Sequence, residues 1–383
     1  MCSFPPSARA ALAHLGDCLD REVARSQRHK DADTAAARQA HYIKWTRDLG
    51  LHDPCGPGPS YAYLVALYLK SLQENGSITG KAALRSMTVQ GYALAINTLF
   101  ELRGFQAPIN PSDPNNVGNI VISNLSKEEN ISRKRNPLDA KIFAELQRMA
   151  NESKSADSDV NLLLDVTIIG RYVGPRVSEY AQKQKNKVDY HVYPSGTRVV
   201  KAWTESDFCF RDVSGNTIPD PVSMSPGALS KVTITWRIQK NRENSETVTL
   251  SSDQDNIALC PVQAALRMVL RARRLGQVPT MPLACFSVCT TADAVVHYLT
   301  GTTVANLLRQ AAKSAYPTMS KDQLLLYSAH SLRVWACVLL DEAGKNTTFI
   351  KKRLRWKGDS FMMYLRDTPS IQDDHVRALF PST

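Results

Sequence analysis

Three short stretches of this sequence carry side chains that could act on a phosphate ester. In GRYVGPRVSEYAQ (170–182), Pro175 suits the first turn of a helix, and Arg176 and Glu179, three apart, share a face of it. A guanidinium beside a helix N-terminus suits an anion. In SAHSLRVWACVLLDEAG (328–344), Leu332, Trp335, Ala336, Leu339 and Leu340 form the apolar stripe of a helix that Gly344 stops. His330 and Arg333 lie near its start, off that stripe, where together they can bind a phosphate and handle a proton. In RLRWKGDSFMMYLRD (353–367), Trp356 and Tyr364 flank a polar stretch that opens a new helix near Asp359 or Ser360. Singly, each has a plainer reading. Arg176–Glu179 reads as a surface ion pair, His330 as a structural histidine, and Tyr364, among Phe361, Met362 and Leu365, as a core residue. Arg176, His330 and Arg333 together supply two guanidiniums and an imidazole, side chains that can bind an anion and move a proton.

The elements that must position these residues follow from periodicity. Helices are expected at 138–151 and 158–172, and another at 261–275 after Cys260-Pro261. Between them lie strand-like runs rich in β-branched and aromatic residues: VDYHVY (188–193), TRVVKAW (197–203), KVTITWRIQK (231–240) and ETVTL (246–250), the last two joined through NRENS as a hairpin. Upstream, apolar residues recur at helical spacing from Ser60 (Tyr61, Leu64, Val65, Tyr68, Leu72) and from Thr88 (Val89, Tyr92, Ile96, Leu99, Phe100). The PCGPGPS break at 54–60 separates an N-terminal helical extension, 1–55, from a helical domain, 56–125. The charged SKEENISRKRNP stretch makes 126–136 a linker, and 137–383 a second domain. The expected class is mainly α with a small antiparallel β-sheet.

Composition points to a polyanionic partner. Lys and Arg number 47 against 36 Asp and Glu, giving a net charge of +11. Two basic groups could touch phosphate or simply be solvated: Arg133, Lys134 and Arg135 in the linker, and Arg267, Arg271 and Arg274 on one face of the 261–275 helix. The eight cysteines are irregularly spaced. Cys285 and Cys289 sit in an apolar strand-like run with no histidine at finger spacing, so reduced thiols are expected rather than zinc. The start, MCSFPPSARAALAHLGDC, lacks a long apolar stretch, and no run reaches membrane-spanning length, so a soluble intracellular protein is expected.

The ordered set Arg176, a hairpin lysine, His330-x-x-Arg333, Trp356 and Tyr364 resembles the active site of the tyrosine recombinases. VGPRVSE is similar to the family's first-arginine box and HSLR to its HxxR box. Trp356 follows Arg333 by 23 residues, as the family's His or Trp position does, and Tyr364 follows Trp356 by eight where many members have nine. The RWKGDSFMMYLR stretch and the Cys260-Pro261-Val262 helix start look especially like recombinases of eukaryotic mobile elements, the DIRS-like retrotransposons and Cryptons. The resemblance covers roughly 60–380 and implies a helical core-binding, DNA-binding domain followed by a catalytic domain.

It also implies roles. Tyr364 attacks phosphorus to give a 3′-phosphotyrosine, and Arg176 and Arg333 clamp the phosphate. His330 assists as base, Trp356 donates its N–H or buttresses the site, and Glu179 orients Arg176. A hairpin lysine protonates the leaving 5′-oxygen; Lys240 is the first choice and Lys231 the reserve. No cofactor, metal or ATP is implied. The implied partner is double-stranded DNA held by a homo-tetramer, with no membrane or small-molecule substrate. The C-terminal exchange between protomers shrinks to about IQDDHVRALF (371–380). A nuclear location follows for a eukaryotic mobile element, and otherwise cytoplasm or nucleoid. Two alternatives share this pattern: a type IB topoisomerase-like enzyme and a domesticated, non-catalytic DNA-binding protein.

Overall fold

Helix caps and apolar stripes set most of the chain's architecture. The computed structural model describes residues 29–76, 84–128, 135–193, 195–239, 244–289 and 294–365. The chain divides into two units, 1–132 and 133–383.

Among the described residues the first unit contains four helices, α1 (His29–Asp48), α2 (Pro59–Asn75), α3 (Ser86–Leu102) and α4 (Val117–Glu128). They share one aromatic-rich core of Tyr42, Tyr68, Leu69, Leu72, Tyr92, Ile96, Phe100 and Leu125. Tyr42 meets Tyr68 edge-on at 5.1 Å, and its hydroxyl donates to the Pro54 carbonyl at 2.9 Å. That bond and the buried Cys55 draw the 51–58 loop into the core. Among the described residues α1 shares this core with α2, α3 and α4, and the Pro/Gly-rich break at 54–60 connects α1 to α2. Residues 1–28 lie outside the described part.

The second unit is built around α6 (Asp159–Val173), which follows α5 (Ala140–Glu152). Asp139 and Ser158 cap these two helices by accepting from the backbone N–H groups of Ile142 and Asn161. Leu162, Leu163, Val166, Ile168, Ile169 and Val173 of α6 are all buried, so the helix is covered nearly all round. A one-turn helix, α7 (Val177–Tyr180), comes next, then the hairpin β1 (Tyr190–Val192) and β2 (Arg198–Val200).

The main sheet contains β3 (Phe208–Arg211), β4 (Thr217–Ile218), β5 (Lys231–Trp236) and β6 (Glu246–Ser251) in the antiparallel order β4-β3-β5-β6. Val232, Ile234 and Trp236 alternate inward on β5, opposite Leu250, Val248 and Glu246. The chain continues through α8 (Pro261–Arg274), the hairpin β7 (Cys285–Cys289) and β8 (Ala294–Tyr298), α9 (Gly301–Ala315), α10 (Lys321–Leu324), α11 (Ser331–Glu342) and α12 (Thr347–Leu354). The class is mainly α with small antiparallel sheets, as expected. Among the described residues no helix is long and apolar enough to cross a membrane.

The arginine row of α8 is paired with carboxylates. Arg271 is only 3% exposed and donates to Asp165 on α6 at 2.8 Å. Arg267 donates to the other Asp165 oxygen at 2.6 Å, and Arg274 to Asp157 at 2.6 Å. Arg271 thus presents no charge to solvent, and the row fastens α8 to α6. Asp165→Ala would leave Arg271 buried without its carboxylate, and it is expected to cost about 3–5 kcal/mol in chemical denaturation. Asp157→Ala, at a partly exposed pair, should cost about 1 kcal/mol or less. Equal losses from the two variants would refute this fastening role.

Candidate active site

The site begins at the end of α6. Gly174 caps that helix in the left-handed conformation, φ 49° and ψ 58°. A Cβ there would lie 3.1 Å from Leu354 and 3.3 Å from Ala336, tight contacts that add to the preference of the left-handed backbone for glycine. Its carbonyl accepts from the Arg333 guanidinium, whose other terminal nitrogen donates to the Leu354 carbonyl at 2.9 Å. Two of the five donors on Arg333 are thereby used to orient the fork.

Arg176 follows as the N-cap of α7. Its backbone N–H donates to Glu179 Oε2 at 3.0 Å and its Nη1 to Glu179 Oε1 at 2.9 Å. Glu179 is buried and also accepts from Trp236 Nε1 at 3.0 Å and from Arg355 Nη2 at 2.8 Å. Four donors satisfy the carboxylate, which is what makes its burial tolerable. Arg176 keeps 22% of its side chain exposed, against 4% for Glu179.

Arg355 and Trp236 are the residues the motifs did not reveal. Arg355 ends α12 in the left-handed region at φ 57°, a conformation rare for a side chain of its size. Its side chain is fully buried, donates to the Val173 carbonyl at 3.1 Å, and lies 3.6 Å over the Trp236 ring. Its carbonyl accepts from Arg176 Nη2 at 3.4 Å. The only advance signals were its place next to Trp356 and the position of Trp236 at the inward end of an alternating strand.

The histidine, tryptophan and tyrosine close the site. Tyr364 ends a 3-10 helix, Asp359–Tyr364. Residues three apart eclipse in that geometry, so Phe361 and Tyr364 lie on one side. Phe361 is buried with Ala336, Cys337, Ile350 and Leu354, and this anchor aims Tyr364 at His330. His330 Nε2 and the Tyr364 hydroxyl are 2.9 Å apart. The expected helix does open at Asp359, but as a 3-10 helix. Trp356 packs 5.6 Å from the Tyr364 ring and 4.2 Å beneath the Arg333 guanidinium. Its indole nitrogen and Arg355 Nε are buried donors with no partner among the described residues.

The electrostatics favour an incoming anion. Three guanidiniums face one carboxylate. Burial lowers the Arg333 guanidinium from its ordinary range, with repulsion from Arg176 and Arg355 adding to that and Glu179 opposing it. Burial likewise lowers Arg355. His330 is lowered by burial, then by Arg333 and Arg135, which favours a neutral imidazole able to accept a proton. Burial pushes the Tyr364 hydroxyl up, so it stays protonated and needs a base. A pH effect follows. If the site cleaves a nucleic-acid strand with His330 as its base, single-turnover cleavage should be flat near pH 7 and fall in acid, with a midpoint below the usual 6.5. His330→Gln should lose that acid limb, and an unchanged limb would mean another group titrates.

The remaining candidates fall as follows. Lys231 opens β5 at the surface, five residues from Trp236, a span of about 16 Å along the strand at about 3.3 Å per residue. Lys240, Arg133, Lys134 and the 371–380 segment lie outside the described residues. Arg135 is exposed and donates to the Leu325 carbonyl at 2.6 Å. Among the described residues no group of three or more His, Cys, Asp or Glu side chains converges as metal ligands would.

No protein-family profile matches the chain. No curated protein matches it either. Among solved structures it is similar to tyrosine recombinases and integrases. One is a lambda integrase dimer bound to a COC′ core site (15% identity, TM-score 0.48, covering 93% of this chain and 95% of that one). Another is the Tn1549 transposon integrase in complex with circular intermediate DNA (14%, 0.43, 84% and 86%). A third is XerA recombinase (12%, 0.36, 95% and 96%).

Proposed function

We propose that this chain is an enzyme that cuts a nucleic-acid strand by tyrosine attack on a phosphodiester. More narrowly, we read it as a site-specific DNA recombinase of the tyrosine type. The observation that carries the reading is the Tyr364 hydroxyl 2.9 Å from His330 Nε2, beside the guanidinium cluster of Arg176, Arg333 and Arg355.

In this mechanism the scissile phosphate sits against the partly exposed Arg176, while Arg333, buried with its fork on the Gly174 and Leu354 carbonyls, adds its positive charge from behind. His330 accepts the tyrosine proton as the Tyr364 oxygen bonds to phosphorus. The bond from phosphorus to the 5′-oxygen breaks, and a lysine, Lys240 in this reading, returns a proton to that oxygen. The phosphotyrosine conserves the bond energy, so a 5′-hydroxyl from a second strand can reverse the step and complete an exchange without ATP. The Trp356 indole N–H, buried and without a partner among the described residues, is the donor this reading assigns to the same phosphate. The net charge of +11 supports a DNA partner. Assembly as a tetramer on DNA, a mobile-element origin, and a nuclear location for a eukaryotic element belong to this proposal.

The test is to select bound duplexes from a random pool, nick the winner opposite each position, and look for an SDS-resistant protein–DNA adduct. An adduct, followed by recombinant joints between two such duplexes, is the expected result. Relaxation of supercoils without joints would point to topoisomerase chemistry. Tight sequence-specific binding with no adduct on any duplex would defeat the enzymatic reading.

A further inference from the structure

The buried Arg355 has no role in the chemistry outlined above, yet it occupies a costly position. It combines a left-handed backbone, a fully buried guanidinium and a carboxylate shared with Arg176. Charge balance gives the reason. A lone Arg176–Glu179 pair is formally neutral and offers little attraction to a phosphate. With Arg355 on the other side of Glu179, the three groups sum to one positive charge, and the part of that cluster open to solvent is Arg176. Arg355 also fixes where that charge points, since its carbonyl accepts from Arg176 Nη2 and its guanidinium packs on Trp236, which itself binds Glu179.

We propose that Arg355 is a positioning residue that offsets the Glu179 charge, so that Arg176, though paired, remains an anion receptor. The inference rests on the proposed phosphodiester chemistry and adds to it a residue that never touches the substrate. A purely structural alternative is that Arg355 only shapes the turn between α12 and the 3-10 helix. The two differ in a way substitutions can read. Glycine suits a left-handed backbone better than arginine does, so a turn-shaping role predicts that Arg355→Gly is tolerated. A charge-offset role predicts that it is not, and that neutralising Glu179 restores function.

The experiment uses the full chain with four forms: wild type, Arg355→Gly, Arg355→Met, and the double variant Glu179→Gln/Arg355→Met, which returns the pair to one net positive charge. Thermal unfolding of each form checks folding. If Arg355→Met does not fold, Arg355→Gly and the double variant carry the comparison. The first arm measures the rate of SDS-resistant adduct formation on a nicked duplex that wild type attacks. Both single variants should be slower by about 100-fold, the scale of losing one electrostatic stabiliser. The double variant should recover by about tenfold or more, a coupling that a turn-shaping role does not produce.

The second arm titrates inorganic phosphate and follows the Trp356 indole N–H resonance, which needs no strand cleavage. Wild type and the double variant should respond at lower phosphate than either single variant. If no duplex yields an adduct but the phosphate arm behaves as stated, the proposed reaction fails and the positioning role stands. If adducts form and folded Arg355→Gly matches wild type in both arms, the positioning role is overturned. It is also overturned if the double variant is no better than Arg355→Met, or if wild type shows no phosphate response.

Discussion

Tyr364→Phe should abolish the SDS-resistant adduct on every duplex that wild type attacks, with no measurable residual rate. The substitution removes one oxygen and leaves the ring in place against Trp356, with Phe361 still anchored in its small core. The folded state loses a hydrogen bond to His330, worth about 1 kcal/mol, so the variant should remain folded. Duplex affinity at one fixed salt concentration should be close to wild type, because phosphate neutralisation by Lys and Arg dominates that affinity. The measurements are gel detection of labelled DNA on denatured protein and a binding titration under the same ionic conditions. An adduct that survives in Tyr364→Phe would move the nucleophile to another residue. Loss of both adduct and binding would instead mean that the tyrosine supports the interface rather than the reaction.

How much of this could be read beforehand depended on whether the determinant was local. Arg176 and Glu179 are three residues apart, and the capping bond that joins them follows from that spacing. Helix α11 forms where periodicity placed it, with His330 at its N-cap, but it is buried all round from Ser331 to Val338, Arg333 included, and the expected stripe residues Leu339 and Leu340 are only half-buried. Strand β5 ends at Trp236, short of the expected 240, because the chain leaves the ladder there: the Ser245 N–H donates to the Trp236 carbonyl, and Ser245 adopts φ 67°. Determinants distant in sequence were not legible. Arg267, Arg271 and Arg274 formed a correct helix face, but periodicity names a face and not its partner. Asp165 lies on another helix 102 residues before Arg267. Arg355 was hidden for the same reason: Glu179 is 176 residues away, and a lone arginine in a basic run gives no sign of burial. The break at 54–60 was read as a boundary because proline and glycine mark turns without telling whether the loop folds back onto the core.

Arg176 and Arg333 should separate catalysis from folding. Each is expected to lose about 100- to 1000-fold in the cleavage rate when cut back to alanine, the range for removing a preorganised donor at a site of developing charge. Their structural settings differ. Arg176 is partly exposed, and its removal leaves Glu179 bonded to Trp236 and Arg355, so Arg176→Ala should keep its fold and most of its duplex affinity. Arg333 is 2% exposed and bridges the carbonyls of Gly174 and Leu354, so Arg333→Ala strands two acceptors and opens space over the Trp356 ring. Each stranded acceptor costs about 1–3 kcal/mol, and denaturant titration should register that loss for Arg333→Ala but not for Arg176→Ala. Lysine should rescue neither well, because a point charge cannot hold two oxygens, or two carbonyls, in a planar fork. Single-turnover cleavage and denaturation on the same preparations check the pair. If Arg176→Ala unfolds as readily as Arg333→Ala, Arg176–Glu179 is a structural ion pair and the phosphate receptor must lie elsewhere.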